Sequence, residues 1–259
     1  MGAGTRCAVT SNKQWKTQVN RWRKTLLRTE SIASPTAHPS GDITHIAPSA
    51  PAQHLAREQF YKTGCGAVSL LCAAKELGVT HLPAYRGSLS ERKGINTLEL
   101  NLRCETDLLK ITSGSTTYPK QQSDMDLVGF TMPDGIVTAA RMLGLDVRAE
   151  ENPGVFSKAL NWIYPDARMK LSGMGCPIEH CPIKIEPNQI KIEALAVSIV
   201  GVPVSLHWVV HRSDGSYMNP DTGTNHKNFE QLNADAKQAI CKMLGYYKTG
   251  ISLIVSRPS

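Results

Sequence analysis

The sequence lacks long apolar segments. No run of 18 or more apolar residues occurs in the 259-residue chain, and the first 13 residues lack the hydrophobic stretch of a secretory signal. These absences predict a protein that neither spans a membrane nor follows the general secretory route, so we expect it to be made in the cytoplasm. The seven cysteines, an odd number, are then expected to be thiols rather than a disulfide framework.

Acidic residues are scarce at the start of the chain. Residues 1–30 hold seven lysines and arginines but one acidic residue, Glu30, whereas the remaining residues hold 22 basic and 21 acidic side chains. The net charge of +7 therefore comes almost entirely from the N-terminal segment. Because the rest of the chain is nearly neutral, the overall charge does not indicate a specific nucleic-acid partner.

Four apolar residues in this basic segment recur at the spacing of one helical face: Trp15, Val19, Trp22 and Leu26. Residues 13–28 thus predict a basic amphipathic helix. It suits an anionic membrane surface, an acidic partner, or export by a secretion system that needs no signal peptide, unless it docks on its own domain. A stretch rich in serine, proline, alanine and threonine follows. We expect residues 1–53 to form an arm and flexible linker before one globular domain at 54–259.

Cys65 begins an apolar helix. It lies between two glycines at the start of a run of helix formers that reaches Leu77. The helix macrodipole and the unpaired N–H groups at such a position stabilise a thiolate and can also bind an oxyanion. Gln59, six residues earlier, is close enough to add a side-chain N–H to that oxyanion hole. This pattern favours a nucleophilic cysteine, the alternative being a buried structural thiol.

The remaining segments predict an α+β domain. Apart from a predicted helix at 97–109, residues 79–125 show no clean periodicity, and we interpret residues 79–130 as an insertion or lid that shapes specificity. Elsewhere we predict helices at 132–143, 155–163, 187–199 and 228–244, and strands at 146–149, 202–212, 216–220 and 246–255. Cys176, His180 and Cys181 match no standard zinc spacing, so neither a metal ion nor another cofactor is expected.

His207 lies on a predicted β-hairpin. If residues 213–215 form the turn, with Gly215 left-handed, Asp221 lies opposite His207 and Asn219 lies two residues along on the same face. Either side chain could accept a hydrogen bond from the imidazole. That is the role of the third residue in a Cys-His-Asn or Cys-His-Asp arrangement, in which histidine takes the thiol proton and later gives it to the leaving group. The sequence leaves Asn219 and Asp221 as rivals for this role.

The order of these motifs resembles a known family. The motifs are Gln59-x5-Cys65-Gly66, Met132-Pro133-Asp134-Gly135, Gly201-x-Pro203-Val204, His207-Trp208-Val209-Val210, Asp214-Gly215-x-Tyr217 and Asn219-Pro220-x-x-Gly223. Over residues 54–255 the chain is similar to papain-like cysteine peptidases, and most of all to the bacteriocin-leader peptidase branch and its stand-alone relatives. The resemblance implies a helical half that carries the nucleophile, packed on a mainly antiparallel sheet that carries the base.

The resemblance also implies a role for each matching residue. Cys65 would attack, His207 would act as general base and acid, Asn219 would orient the imidazole, and Gln59 would support the oxyanion. One departure is that this branch usually has aspartate before the proline, where this chain has Asn219. Asp221 therefore stays the rival third residue.

Three functions from different classes fit these residues. The first is a cysteine peptidase that hydrolyses a protein or peptide substrate through the triad and an acyl-enzyme. The second is a glutamine deamidase or acyltransferase toxin with the same catalytic residues, since cleft shape and the attacking group decide the product. The third is a non-enzymatic adaptor that binds through the basic arm. A catalytic domain behind such an arm also indicates a bacterial effector.

Overall fold

The computed structural model describes residues 54–85, 88, 91, 93–114, 129–152, 164–199, 201–239 and 244–258. The predicted arm and linker at 1–53 and the predicted helix at 155–163 lie outside the described residues. Within them, no helix combines the length and the apolar character needed to cross a membrane.

The described part of the chain holds five helices and nine strands. The helices are α1 (Cys65–Glu76), α2 (Glu105–Thr112), α3 (Pro133–Met142), α4 (Ala167–Gly173) and α5 (Phe229–Ala239), with a 3-10 turn at Leu102–Cys104. The strands are β1 (His81–Pro83), β2 (Thr97–Glu99), β3 (Asp146–Glu151), β4 (Ile178–Glu179), β5 (Gln189–Ile199), β6 (Val202–Arg212), β7 (Tyr217–Asn219), β8 (Thr224–His226) and β9 (Leu244–Ser256). These elements form the α+β domain that the sequence predicts.

Seven of the strands form one sheet, in the order β4-β3-β9-β5-β6-β7-β8. Strands β3 and β4 run parallel, and the other neighbours in this sheet are antiparallel. Strands β1 and β2 pair separately as a small antiparallel sheet. The last strand in chain order, β9, thus lies inside the large sheet, between β3 and β5.

Apolar packing covers both faces of the large sheet. Helices α1, α2 and α3 pack together, and α1 lies on β5 and β6, so their buried residues share one main core with the sheet. Helix α5 lies against β9, β7 and β8, where Leu232 and Ala236 join Leu195, Val209 and Tyr246 in a second core. Burial on both sides fixes β5 and β6 firmly in the middle of the domain.

Strand β5 corrects one sequence prediction. Residues 187–199 were expected to form a helix, but Gln189–Ile199 pairs with β9 on one side and β6 on the other. Its first half alternates apolar and polar residues, which is the pattern of a strand. Its second half, from Ala194 to Ile199, is mostly apolar, and such a run fits a buried strand or a buried helix equally well. Tertiary pairing decides between them.

The bounds of helix α2 correct a second one. The sequence predicts a helix over 97–109, whereas α2 begins at Glu105, after a short strand and a 3-10 turn. Within the 79–130 stretch interpreted as an insertion or lid, Leu108 and Leu109 of this helix are fully buried in the main core. Residues 105–112 are therefore part of the packed body, and residues 115–128 lie outside the described residues.

Candidate active site

The N-terminus of α1 carries Cys65. Gly64 is the N-cap residue, and no side chain among the described residues caps this end, so the first N–H groups of the helix stay available to a ligand. Cys65 is half-buried. The next residue, Gly66, has no room for a side chain, because a Cβ there would lie 2.3 Å from Cγ2 of Thr131. The turn into the helix is thus shaped so that the thiol stands at its exposed start.

His207 meets this thiol from strand β6. Its ring lies close enough to the Cys65 side chain for the two groups to interact directly. On its other side, Nε2 lies 2.8 Å from Oδ1 of Asn219. Because Nε2 is engaged there, Nδ1 is the ring nitrogen left to face the sulfur. The imidazole is buried, with a side-chain exposure of 4%. The three residues therefore form the chain of contacts that a nucleophile, a base and an orienting group require.

Asp221 adds a carboxylate to the same imidazole. Its Oδ2 lies 3.5 Å from Nε2 of His207, and its backbone N–H donates to Oδ1 of Asn219 at 3.0 Å. The hairpin explains this placement, since Val210 pairs with Met218 and His211 with Tyr217. Continuing this register puts Asp221 opposite His207, as the sequence predicts. The structure therefore brings both rivals to His207, one as a hydrogen-bond acceptor and one as a charge.

The surroundings of His207 favour its protonated form. Burial by itself lowers the pKa of an imidazole, but Asp221, Cys65 and Asn219 together raise the pKa of His207 to about 9. At neutral pH the ring is thus mostly an imidazolium. The fold thus sets an imidazolium beside the Cys65 side chain.

Comparison with known proteins fits this geometry. The family model of invasion plasmid antigen J, a cysteine protease, matches residues 57–258. Cysteine protease IpaJ of Shigella flexneri is 47% identical over 202 residues, which cover 78% of each chain. The chain belongs to the IpaJ cysteine protease family. This membership confirms the cysteine peptidase predicted from the order of motifs. A weaker structural match, with 14% identity and a TM-score of 0.31, is the peptidase domain of Streptococcus ComA, a bifunctional ABC transporter, and covers 79% of this chain and 99% of that domain.

Tyr246 is a residue of this candidate site that the sequence did not reveal. Its ring stacks on His207, with centroids 5.5 Å apart and planes 17° apart, and its hydroxyl donates to Oδ2 of Asp221 at 3.5 Å. Burial raises the pKa of Tyr246, so the phenol stays protonated and able to donate. No local pattern could identify it, because strand β9 reaches His207 across β5.

Gln59 is held against the corner that follows Asn219. Its backbone N–H donates to the carbonyl oxygen of Pro220 at 2.7 Å, and its side-chain Nε2 donates to the carbonyl oxygen of Lys62 at 3.2 Å. Gly223 makes room for this close approach, since a Cβ there would lie 2.4 Å from the backbone nitrogen of Glu58. The segment before Cys65 is thus tied directly to the hairpin that carries Asn219.

Two contacts link helix α1, which carries Cys65, to strand β6, which carries His207. Near the thiol, Oγ of Ser69 donates to the carbonyl oxygen of Trp208 at 3.1 Å. At the far end of α1, the Arg212 guanidinium binds both carboxylate oxygens of Glu76 at 2.6 and 2.7 Å and also donates to the carbonyl oxygen of Leu55. Both members of this ion pair are almost fully buried. Helix α1 and strand β6 are therefore fixed to each other at two points.

The cysteine and histidine residues near 180 lie apart from this site. Cys176 is buried and its thiol contacts the carbonyl oxygen of Val147, whereas Cys181 is exposed. Nδ1 of His180 lies 3.5 Å from Glu151. In the part of the chain that the structure describes, no three side chains of His, Cys, Asp or Glu are grouped closely enough to hold a metal ion.

Proposed function

We propose that this cysteine peptidase hydrolyses an amide bond in a protein or peptide with Cys65 as nucleophile and His207 as general base and acid. Asn219 and Asp221 divide the third role: Asn219 fixes the ring through a hydrogen bond, and Asp221 supplies the negative charge. The observation that carries the proposal is the pair of side-chain contacts on one buried imidazole, with Cys65 on one side and Asn219 on the other.

The chemistry follows from these positions. The Cys65 thiolate attacks the carbonyl carbon, and the oxyanion is received by the first N–H groups of α1 with help from the Gln59 amide. The His207 imidazolium protonates the leaving amine as the C–N bond breaks, which leaves a thioester on Cys65. Neutral His207 then takes a proton from water, the resulting hydroxide attacks the thioester, and the acid product leaves.

Alkylation of the cysteines tests the catalytic pair. We expect iodoacetamide to modify Cys65 rapidly at pH 6, and His207→Ala to slow that reaction about 10-fold or more. Peptide mapping identifies the modified residue, and exposed Cys181 serves as the internal reference. If Cys65 reacted no faster than Cys181, or equally fast in the variant, the assigned catalytic pair would be refuted.

Analysis of the products tests the reaction itself. Mass spectrometry of a protein substrate incubated with the wild type should show two fragments whose masses sum to substrate plus water. Cys65→Ala is the control and should give none. An intact substrate that gains the mass difference between an amide and an acid indicates deamidation instead, and a covalent adduct indicates acyl transfer.

We propose further that residues 1–53 are an address rather than a part of the catalytic unit. The basic amphipathic pattern at 13–28, set before a domain that carries the site, supports export without a signal peptide or attachment to an anionic surface. Deletion of residues 1–53 keeps His54, whose carbonyl oxygen accepts from Asn225. Peptidase activity should survive this deletion and export should be lost. Loss of activity in the purified variant would contradict the assignment.

A further inference from the structure

Glu105 is a buried carboxylate that the catalytic proposal does not use. It begins α2 and is 1% exposed. Three donors from one segment converge on it. The backbone N–H groups of Phe60 and Tyr61 donate to Oε1 at 2.8 and 3.2 Å, and Nη2 of Arg57 donates to Oε2 at 2.7 Å. All three lie 44 to 48 residues before Glu105 in the chain.

The same carboxylate reaches the residue before the nucleophile. A Cβ on Gly64 would lie 2.8 Å from Oε1 of Glu105, so glycine at this position leaves the space that the carboxylate occupies. The next residue of α2, Thr106, shares a hydrogen bond of 2.8 Å with the hydroxyl of Tyr61. Residues 57–64 thus wrap around the start of α2, and we call this segment the entry turn.

The entry turn contains Gln59 and leads directly into Cys65, which follows its last residue. Burial raises the pKa of Glu105, while Arg57 and the two backbone donors act in the opposite direction. A charge is costly in such a place, and the hydrogen bonds from the entry turn offset part of that cost. Removing it would take away the carboxylate oxygens to which two backbone N–H groups and Nη2 of Arg57 donate.

We propose that Glu105 is a positioning residue of the peptidase site, which holds the entry turn so that Gln59 and the first N–H groups of α1 meet the oxyanion. This inference rests on the proposed function. It separates two properties of Cys65. Formation of the thiolate depends on His207, whereas stabilisation of a tetrahedral intermediate depends on the entry turn.

Two reagents distinguish these properties. Iodoacetamide reacts by displacement: a C–S bond forms, the C–I bond breaks, and no oxyanion appears. The ester p-nitrophenyl acetate reacts through a tetrahedral oxyanion: a C–S bond forms, the C–O bond breaks, and p-nitrophenolate leaves and is measured by its absorbance. The ratio of acylation to alkylation at Cys65 therefore reports the oxyanion hole independently of thiolate formation.

Glu105→Gln is the test variant, because it keeps the size of the side chain and one oxygen for the backbone donors but cannot accept from Arg57. We expect acylation of Cys65 to fall about 10- to 100-fold, while alkylation stays within about 2-fold and its pH profile does not move. Glu99→Gln, the same change at an exposed residue of β2, is the matched control and should leave both reactions unchanged. Circular dichroism and Tm establish that each variant is folded.

Each outcome decides the matter. Unchanged acylation in Glu105→Gln overturns the positioning role and leaves the proposed function standing. A parallel loss of both reactions also overturns it, because the residue would then act on the thiolate or on the fold. If Cys65 of the wild type reacts no faster than Cys181 with either reagent, the proposed function fails and this inference fails with it. Glu105→Ala, if folded, should lose more acylation than Glu105→Gln.

Discussion

Asp221 sets a carboxylate 3.5 Å from Nε2 of His207, and Asp221→Asn measures what that charge does. The substitution keeps the shape of the side chain and the backbone N–H that donates to Asn219. An anion favours the charged form of a neighbouring imidazole, so its removal must lower the pKa of His207. The expected direction is thus fixed by the sign of the charge.

The size of the change follows from Coulomb's law. Two unit charges 3.5 Å apart interact by about 1 kcal/mol in water and by about 5 kcal/mol at an effective dielectric constant of about 20. The Asp221 side chain is 32% exposed, so solvent screening favours the lower part of this range. We take about 1–3 kcal/mol, which lowers the pKa of His207 from about 9 by roughly 1–2 units. At pH 7.5 the protonated fraction of the ring then falls from nearly complete to roughly one half.

Nuclear magnetic resonance gives the assay. The Cε1–Hε1 signals of the eight histidines can be followed between pH 5 and 10, and His207→Gln assigns the signal of interest. Asp214→Asn is the matched control, because it removes the same charge from the same hairpin, at a side chain that faces His54. We expect the titration of His207 to move in Asp221→Asn and to stay in place in Asp214→Asn. An unchanged midpoint in Asp221→Asn would refute the electrostatic role of Asp221.

Three further predictions concern stability. Because the pKa of His207 is raised to about 9 in the folded state, protonation of this ring contributes roughly 3 kcal/mol to the free energy of unfolding. The contribution is complete below about pH 6.5 and is lost as the pH rises to about 9. Urea unfolding should show this loss in the wild type but not in His207→Gln. Arg212→Ala leaves the Glu76 carboxylate buried without its charged partner and should lower the free energy of unfolding by about 3–5 kcal/mol. The double variant Glu76→Leu/Arg212→Met should recover part of this loss. Equal stability of Arg212→Ala and wild type would contradict the prediction. Gly66→Ala drives a methyl group into Thr131 and should cost about 1–3 kcal/mol in the same assay, whereas Gly173→Ala, on an open surface, should cost less than 1 kcal/mol.

Local patterns were enough to predict the parts of the site that depend on neighbours in sequence. The helix after Cys65 follows from a run of helix formers between glycines, and it ends at Glu76, two residues before Gly78 with its φ of +75°. The register of the hairpin follows from a three-residue turn with Gly215 left-handed, at a φ of +85°. Both inferences required only short-range chemistry.

The missed features depend on distant parts of the chain. Strand β5 is buried on both faces, so its apolar second half carries no periodicity that separates a strand from a helix. Tyr246 and Glu105 reach the site only after the sheet and helices have assembled, and a buried carboxylate or tyrosine has no sequence signature of its own. The pairing of α2 with the entry turn is visible in three dimensions alone.

The position of β9 has a consequence for the timing of activity. This strand comes after Cys65, His207 and Asn219 in the chain, yet it lies inside the sheet and pairs with both β3 and β5. A ribosome that has translated as far as residue 239 has therefore made every proposed catalytic group without the strand that closes the sheet around them. Pairing between distant strands is a slow step of folding. We expect the nascent protease to be inert, and proteolysis to begin only after β9 has been synthesised and inserted.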